Sequence, residues 1–135
     1  MKRGAVKSAV KRQTIQPRVK LWLELDGERA FCPGVSRILQ EVERTGSMKD
    51  AAAALGKSYR FVWGKVKEVE KALGCTLIET RVGGQQDQRS SLTPTGRLLM
   101  QEFIALRERL FDVMDREFAP RLQAALEAAK VTDGR

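Results

Sequence analysis

The sequence predicts a mostly helical fold with a small β component, and three observations lead to that prediction. After Pro33, apolar residues recur at intervals of three and four in successive segments that glycines separate. A short β-like segment with a turn signal lies on each side of these helices. A long periodic segment begins after Thr93-Pro94. Together they predict an N-terminal hairpin, a three-helix core, a second hairpin and one long C-terminal helix.

The N-terminal region divides into an arm and a hairpin. Residues 1–17 are basic and polar without periodicity, which predicts a disordered arm. From Arg18 to Leu25, apolar and polar residues alternate, which predicts a half-buried strand. Asp26-Gly27 is a strong signal for a tight turn, and Glu28–Phe31 is the predicted partner strand.

Two helices are predicted next. The first begins at Pro33 and stops near Gly46, because proline is favoured at the first helical position and glycine just after the last. Ser47 is the predicted N-cap of a short, alanine-rich second helix, Met48–Leu55. Asp50, three residues later, is its capping-box partner.

A third helix and the second hairpin follow. Ser58 is the predicted cap of the helix and Gly74 its end. A polar turn at residues 83–89 and a short return through Ser90–Leu92 complete the predicted hairpin. The apolar stripe of the helix is Val62, Val66, Val69 and Leu73, and the first strand of the hairpin contains Leu77, Ile78 and Val82.

The long helix is predicted to run to about Pro120, with Leu122–Ala129 as a helical tail. It carries two apolar stripes, whereas a helix that covers one small domain needs only one. We therefore expect the second stripe to pair with its own copy in a homodimer, although the tail folding over it is an alternative. The first stripe is Leu99, Phe103, Leu106, Leu110 and Val113, and the second, the predicted dimer contact, is Met100, Ile104, Phe111, Met114 and Phe118.

The order of these elements is that of a winged helix-turn-helix. Gly56 lies where the chain must turn between two helices, and Ala51 and Ala52 allow those helices to approach closely. Two helices of another small bundle would give a similar local pattern. The predicted organisation is an arm at residues 1–17, a winged helix-turn-helix domain at 18–97, and a dimerisation helix with its tail at 98–135.

The charge is unevenly distributed along the chain. Residues 1–97 carry 19 Lys and Arg against 10 Asp and Glu, whereas residues 98–135 have a net charge of −1. Such a balance favours a polyanionic partner for the first part of the chain, with solubility alone as the alternative. A membrane surface is not favoured, because no basic amphipathic helix with a bulky apolar face stands free.

Several chemistries have no support in the residues present. The chain contains no histidine, and Cys32 and Cys75 do not have metal-ligand spacing, which argues against a metal site and against histidine-based catalysis. No nucleophile–base pair and no phosphate-binding glycine loop is apparent either. We expect a cytoplasmic protein that is not an enzyme and that needs no cofactor or metal.

The exposed face of the third helix carries the candidate chemistry. With the valine stripe turned inward, Arg60, Gly64, Lys67 and Lys71 face outward, and Ser58 and Tyr59 lie at the N-terminal end. An arginine here suits two-pronged recognition of guanine in the major groove. Lys67 and Lys71 are equally consistent with a solvated face. For Trp63, packing in the core or against the wing is favoured over a contact with a base.

Three stretches carry a resemblance to a known family. The segments SMKDAAAALGKSYRFVW, LGCTLIETRVGG and LTPTGRLL resemble the N-terminal domain of molybdate-responsive ModE regulators, and more widely LysR-type helix-turn-helix domains. The resemblance covers about residues 17–115. It implies that the third helix is the recognition helix and that Arg81–Arg89 form the wing. Taken together, the exposed face of the third helix and this resemblance give the expected DNA-binding residues, which are Lys57, Ser58, Tyr59, Arg60, Trp63, Gly64, Lys67, Arg81, Gln85 and Arg89.

The sequence departs from that family in two places. The family's wing is richer in glycine, whereas here Gly83-Gly84 is followed by the polar run from Gln85 to Arg89. Full-length relatives carry oxyanion-binding domains after the long helix, whereas some 15 residues follow Pro120 here. We therefore expect this chain not to bind molybdate by that route.

These observations predict a transcriptional regulator that binds double-stranded DNA at a roughly palindromic operator as a homodimer. The alternative is a winged-helix adaptor that pairs with another regulator instead of reading DNA. RNA is a less favoured partner, since a helix fits the wide major groove of DNA better than the deep, narrow one of RNA.

Overall fold

The computed structural model describes residues 13–82 and 88–133. Among these residues, those within Lys20–Glu108 form one compact unit, and residues 13–19 together with residues 109–133 form another. The architecture is mostly helical with two small antiparallel hairpins, which confirms the predicted fold class. Within the described residues, no helix is long and apolar enough to cross a membrane.

The N-terminal hairpin consists of β1 (Leu23–Leu25) and β2 (Glu28–Phe31). Asp26 and Gly27 both have positive φ, at 54° and 84°, which is the geometry of the tight turn that the sequence predicted. The prediction of a strand from Arg18 was too long. Phe31, the last residue of β2, pairs with Leu23, so residues 18–22 have no strand opposite them.

Three helices form the core of this unit: α1 (Pro33–Thr45), α2 (Met48–Leu55) and α3 (Tyr59–Leu73). Each is followed by a glycine in the left-handed conformation, with φ between 68° and 75°. Ser47 caps α2 as predicted, because its hydroxyl accepts a hydrogen bond from the amide of Asp50 at 3.0 Å. The predicted bounds of all three helices are therefore confirmed to within one residue.

The hydrophobic core lies between these helices and the start of the long helix. The rings of Phe31 and Phe103 meet edge to face with their centroids 5.1 Å apart. The largest side chains that are fully buried are Phe31, Val35, Leu39, Val42, Val62, Val66, Leu77 and Phe103.

The second hairpin is formed by β3 (Ile78–Val82) and β4 (Gln88–Leu92). Its return strand begins two residues earlier than predicted, and its register places Arg81 opposite Arg89. Residues 83–87, most of the predicted polar turn, lie outside the described part of the chain.

The long C-terminal helix differs from the prediction at Pro120. It runs as α4 (Pro94–Val113), continues through a π-helical turn (Met114–Phe118) and resumes as α5 (Ala119–Asp133). Pro120 was expected to end the helix but lies in the first turn of α5. Proline lacks an amide proton, and the widened π turn directly before it relieves the mismatch that its ring causes in a regular helix.

Two residues predicted for the dimer contact pack against the core of their own chain. Met100 is only 7% exposed and belongs to the hydrophobic core, and Ile104 is half-buried against it. Met100 was therefore wrongly assigned to the outer stripe, because the pattern of one helix does not reveal which of two neighbouring stripes faces the domain. Phe103, from the other stripe, is buried as predicted.

In the unit formed by residues 13–19 and 109–133, the side chain of Gln123 binds the backbone of the N-terminal segment. Gln123 accepts a hydrogen bond from the amide of Ile15 at 3.0 Å and donates one to the carbonyl of Gln13 at 2.9 Å. The last residues of the predicted arm are thus tied to α5, while residues 1–12 lie outside the described part.

The start of α4 is fixed against the backbone before β3. Thr93 donates hydrogen bonds from its amide to the carbonyl of Leu77 and from its hydroxyl to the carbonyl of Thr76, and it caps the amide of Gly96. A Cβ atom added to Gly96 would overlap the carbonyl oxygen of Leu77. The absence of a side chain at Gly96 is what allows α4 to begin here.

We predict that Gly96→Ala destabilises the fold by about 1–3 kcal/mol, because a methyl group must displace backbone rather than a flexible side chain. Urea unfolding followed by circular dichroism measures the change. Gly34→Ala is the matched control, since Gly34 also lies in the first turn of a helix but an added Cβ meets nothing within 4 Å. Equal unfolding midpoints for the two variants would contradict the prediction.

Candidate nucleic-acid interface

The turn between α2 and α3 is held by backbone hydrogen bonds and a capping serine. The amides of Gly56 and Lys57 donate to the carbonyls of Ala53 and Ala52 at 3.1 and 3.0 Å. The hydroxyl of Ser58 then accepts a hydrogen bond from the amide of Phe61 at 3.0 Å, which starts α3. These hydrogen bonds order the turn between α2 and α3 and set the first turn of α3.

The two faces of α3 are divided as the sequence predicted. Val62, Val66 and Val69 are buried, at 7% exposure or less. The opposite face is polar and exposed, and it carries Lys57, Ser58, Tyr59, Arg60, Gly64, Lys67 and Lys71. Four cations and two hydroxyl groups are thus gathered on and just before one helix.

Arg60 and Gly64 lie at the centre of this exposed face. Arg60 forms no hydrogen bond or ion pair with the rest of the described chain, which leaves all its donors to solvent. A Cβ added to Gly64 would meet no atom within 4 Å, so packing within the described chain does not require a glycine there. A glycine inside a helix costs about 1 kcal/mol relative to alanine, and nothing in the described fold offsets that cost.

Trp63 orders the side chains beside it. It is half-buried and packs against the core, which agrees with the packing role that the sequence favoured over a base contact. Its ring meets that of Tyr59 edge to face at 6.4 Å, and the ammonium group of Lys67 lies 5.0 Å from the ring centre. Trp63 therefore holds Tyr59 and Lys67 in place at the edge of the exposed face.

Glu70 connects α3 to the second hairpin. One carboxylate oxygen accepts hydrogen bonds from the amides of Leu77 and Ile78 at 2.7 and 3.2 Å, and the other lies 3.5 Å from the ammonium group of Lys67. The side chain is only 10% exposed. Sequence reasoning did not predict the hydrogen bonds of Glu70 to the backbone, because a glutamate on a charged helix resembles any solvated side chain and the amides that it binds lie beyond the helix end.

The second hairpin contributes two more cations. Arg81 and Arg89 are exposed and directly opposite each other across the strands, where like charges repel. The amide of Ser90 donates to the carbonyl of Gly46 at 2.9 Å, which fixes β4 to the loop before α2. Gln85, the remaining residue predicted for the wing, lies outside the described residues.

Phe61 is a second residue that the sequence prediction missed. Its side chain is 46% exposed on α3, with the ammonium groups of Lys57 and Lys65 at 5.3 and 6.0 Å from the ring centre. On a helical wheel it falls about 100° from the valine stripe, a position that could have identified it as an exposed aromatic residue.

Not every cation near the surface is available to a ligand. Arg97 forms a two-pronged pair with Glu43, both contacts at 3.1 Å, and this hydrogen bonding raises the pKa of the Arg97 guanidinium above its usual value. The pair links α4 to α1, so the charge of Arg97 is already paired within the fold. Among the residues that the structure describes, no group of three acidic or cysteine side chains is arranged to hold a metal ion.

Residues 36–97 match the model of the bacterial regulatory helix-turn-helix proteins of the LysR family. Residues 36–97 form a LysR-type helix-turn-helix domain. The match begins in α1 and ends in the first turn of α4, so it includes both the exposed face of α3 and the second hairpin.

Regulators named ModE are among the curated relatives of this chain. The DNA-binding transcriptional dual regulator ModE of Escherichia coli K12 is 26% identical over 117 residues, which is 84% of this chain and 45% of the relative. The molybdenum-pterin-binding protein MopB of Rhodobacter capsulatus is 31% identical over 84 residues, or 62% of this chain and 31% of MopB. The chain spans less than half the length of these relatives.

A solved structure has the same fold. The CbnR DNA-binding domain, crystallised as a DNA complex, matches with a TM-score of 0.51 and 22% identity over 65% of this chain and 95% of that domain. At this identity the likeness concerns the fold, which is that of a LysR-like winged helix. The second hairpin of this chain is then the wing.

We predict that Glu70→Ala destabilises the LysR-type domain by about 1.5–3 kcal/mol, because the buried amides of Leu77 and Ile78 lose a charged acceptor. Urea unfolding checks the value. Glu68→Ala is the matched control: this side chain is 73% exposed, its ion pair with Lys65 spans 3.8 Å, and its removal should change stability by less than about 0.5 kcal/mol. Similar losses in both variants would show that the Glu70 hydrogen bonds contribute little.

Proposed function

We propose that this protein binds double-stranded DNA sequence-specifically and regulates transcription, with α3 in the major groove. The observation that carries the proposal is the exposed face of α3, where Arg60 has no partner in the described chain while the opposite face is locked into the core. An α-helix fits the major groove, and arginine makes the commonest specific contact there, to guanine.

The relatives support this proposal. The Escherichia coli relative is by name a DNA-binding transcriptional regulator, and the CbnR domain with the same fold was crystallised with DNA. The excess of positive charge in residues 1–97 agrees with a polyanionic partner, because neutralising phosphates releases counterions.

The exposed residues divide into two roles in this proposal. Arg60 reads a base edge, while Lys57, Ser58 and Tyr59 at the start of α3 contact phosphates or the outer edges of bases. Gly64 allows the backbone of α3 to approach the DNA, and Lys67, which Trp63 holds in place, contacts a phosphate. The wing contributes Arg81, Gln85 and Arg89 to phosphates or the minor groove.

We predict that Arg60→Ala relaxes sequence preference and costs about 1–3 kcal/mol on the preferred duplex. The preferred duplex is first obtained by selection from a random duplex library with the whole chain, and affinities are then measured by fluorescence anisotropy. Arg89→Ala is the matched control: the same charge is removed from the wing, and affinity should fall about equally on preferred and scrambled duplexes.

Two outcomes would contradict this assignment. If Arg60→Ala weakens all duplexes equally and keeps the preferred site, α3 is oriented differently from the proposal. If the wild-type protein enriches no sequence from the library, the chain does not read DNA, and the adaptor that pairs with another regulator becomes the better hypothesis.

We further propose that the protein acts as a homodimer on a roughly palindromic operator, since two-fold proteins match two-fold sites. Apolar side chains on the helix beyond Arg109 support this proposal. Phe111 and Met114 are half-buried, and Phe118 is 42% exposed with the guanidinium of Arg121 at 4.8 Å from its ring centre. Since Met100 and Ile104 pack on the core, the proposed seam is confined to Phe111, Met114 and Phe118.

We predict that Phe118→Glu converts the dimer to a monomer, because a carboxylate enters the seam from each chain and burying it unpaired costs several kcal/mol. Sedimentation velocity measures the change, and helical circular dichroism should be retained. Val131→Glu is the matched control, since Val131 is 76% exposed near the end of α5 and lies outside the proposed seam. A dimer that survives Phe118→Glu would place the contact elsewhere.

A further inference from the structure

We propose that Phe61 is a specificity-determining residue that reads the C5-methyl group of a thymine in the major groove. The inference rests on the proposed function, because it assumes that α3 enters the groove. It gives Phe61 a role in base recognition that is separate from the proposed contact of Arg60 with guanine.

The position of Phe61 is fixed although its side chain is exposed. Its amide donates to the hydroxyl of Ser58, so its backbone belongs to the capped first turn of α3, the end of a recognition helix that reaches base edges. With 46% of its surface exposed, Phe61 is more exposed than any other aromatic side chain in the described part of the chain. An open ring on this turn is accessible to a partner outside the fold.

Two lysines define the surroundings of the ring. The ammonium groups of Lys57 and Lys65 lie 5.3 and 6.0 Å from its centre, within the range of cation–π attraction. Lys57 precedes α3 and Lys65 follows Phe61 by one turn, so the ring lies between two charges that suit successive phosphates. Phosphate contacts on both sides would seat the ring against the bases between them.

The chemistry of the groove then selects thymine. Phe61 has no hydrogen-bonding group on its side chain, so it cannot distinguish the donor and acceptor patterns of the bases. The C5-methyl group of thymine is the apolar feature of the major-groove edge, and apolar side chains, phenylalanine included, contact it. Uracil has the same hydrogen-bonding edge without the methyl group, which gives a probe that changes this contact alone.

The experiment replaces each thymine of the selected duplex in turn by uracil and measures affinity by fluorescence anisotropy. At one thymine in each half-site, we expect the wild-type protein to bind the uracil duplex about fourfold more weakly, the effect of one buried methyl group. Phe61→Ala should bind both duplexes equally, and Phe61→Leu should keep part of the difference. Leu25→Ala, which truncates a side chain that is 45% exposed on the first hairpin, is the control and should keep the full fourfold effect.

Three results would contradict the assignment of Phe61 or the proposed function. If the wild-type protein prefers its selected duplex but no uracil substitution weakens binding, or if Phe61→Ala shows the same uracil effect, Phe61 does not read a thymine methyl group. If Phe61→Ala weakens preferred and scrambled duplexes alike, the ring only supports its lysines. If the wild-type protein selects no sequence at all, the proposed function fails, which the library shows before any uracil is introduced.

Discussion

Hydrogen bonds to the backbone of Thr76–Ile78 join three parts of this fold. Glu70 of α3 binds the amides of Leu77 and Ile78, while Thr93, at the start of α4, binds the carbonyls of Thr76 and Leu77. Gly96 brings the first turn of α4 into direct contact with the same carbonyl of Leu77. Because one short extended segment receives these contacts from both sides, a shift of α3, of the wing or of the long helix strains the other two.

The fixed interior explains why the outer face of α3 is free to serve binding. Val62 and Val66 are fully buried and Ser58 sets the first turn, so the orientation of α3 does not depend on the side chains that point to solvent. Arg60 and Phe61 are therefore carried on a helix whose position is already determined. Trp63 joins the two regions, since it packs on the core and also holds exposed side chains in place.

The parts of the structure that the sequence predicted depend on contacts within a few residues. Helix ends at glycines and serine caps act over about one turn, so they could be recognised along the chain. The length of β1 could not, because it depends on where its partner strand ends at Phe31. The burial of Met100 and the hydrogen bonds of Glu70 depend on the rotation of a helix and the path of the chain beyond it. At the candidate site, the valine stripe predicted the exposed side chains but not the role of Phe61, at its flank.

The register that places Arg81 opposite Arg89 has a consequence for the response of the wing to salt. Repulsion between the two guanidinium groups weakens the free hairpin, and any polyanion that lies between them relieves it. By thermodynamic reciprocity, a polyanion that favours the formed hairpin would be bound more tightly when the hairpin is already formed. Added salt screens the repulsion and so stabilises the free hairpin, but it also weakens the attraction to phosphate. Ionic strength therefore acts on this one pair of residues in two opposing directions.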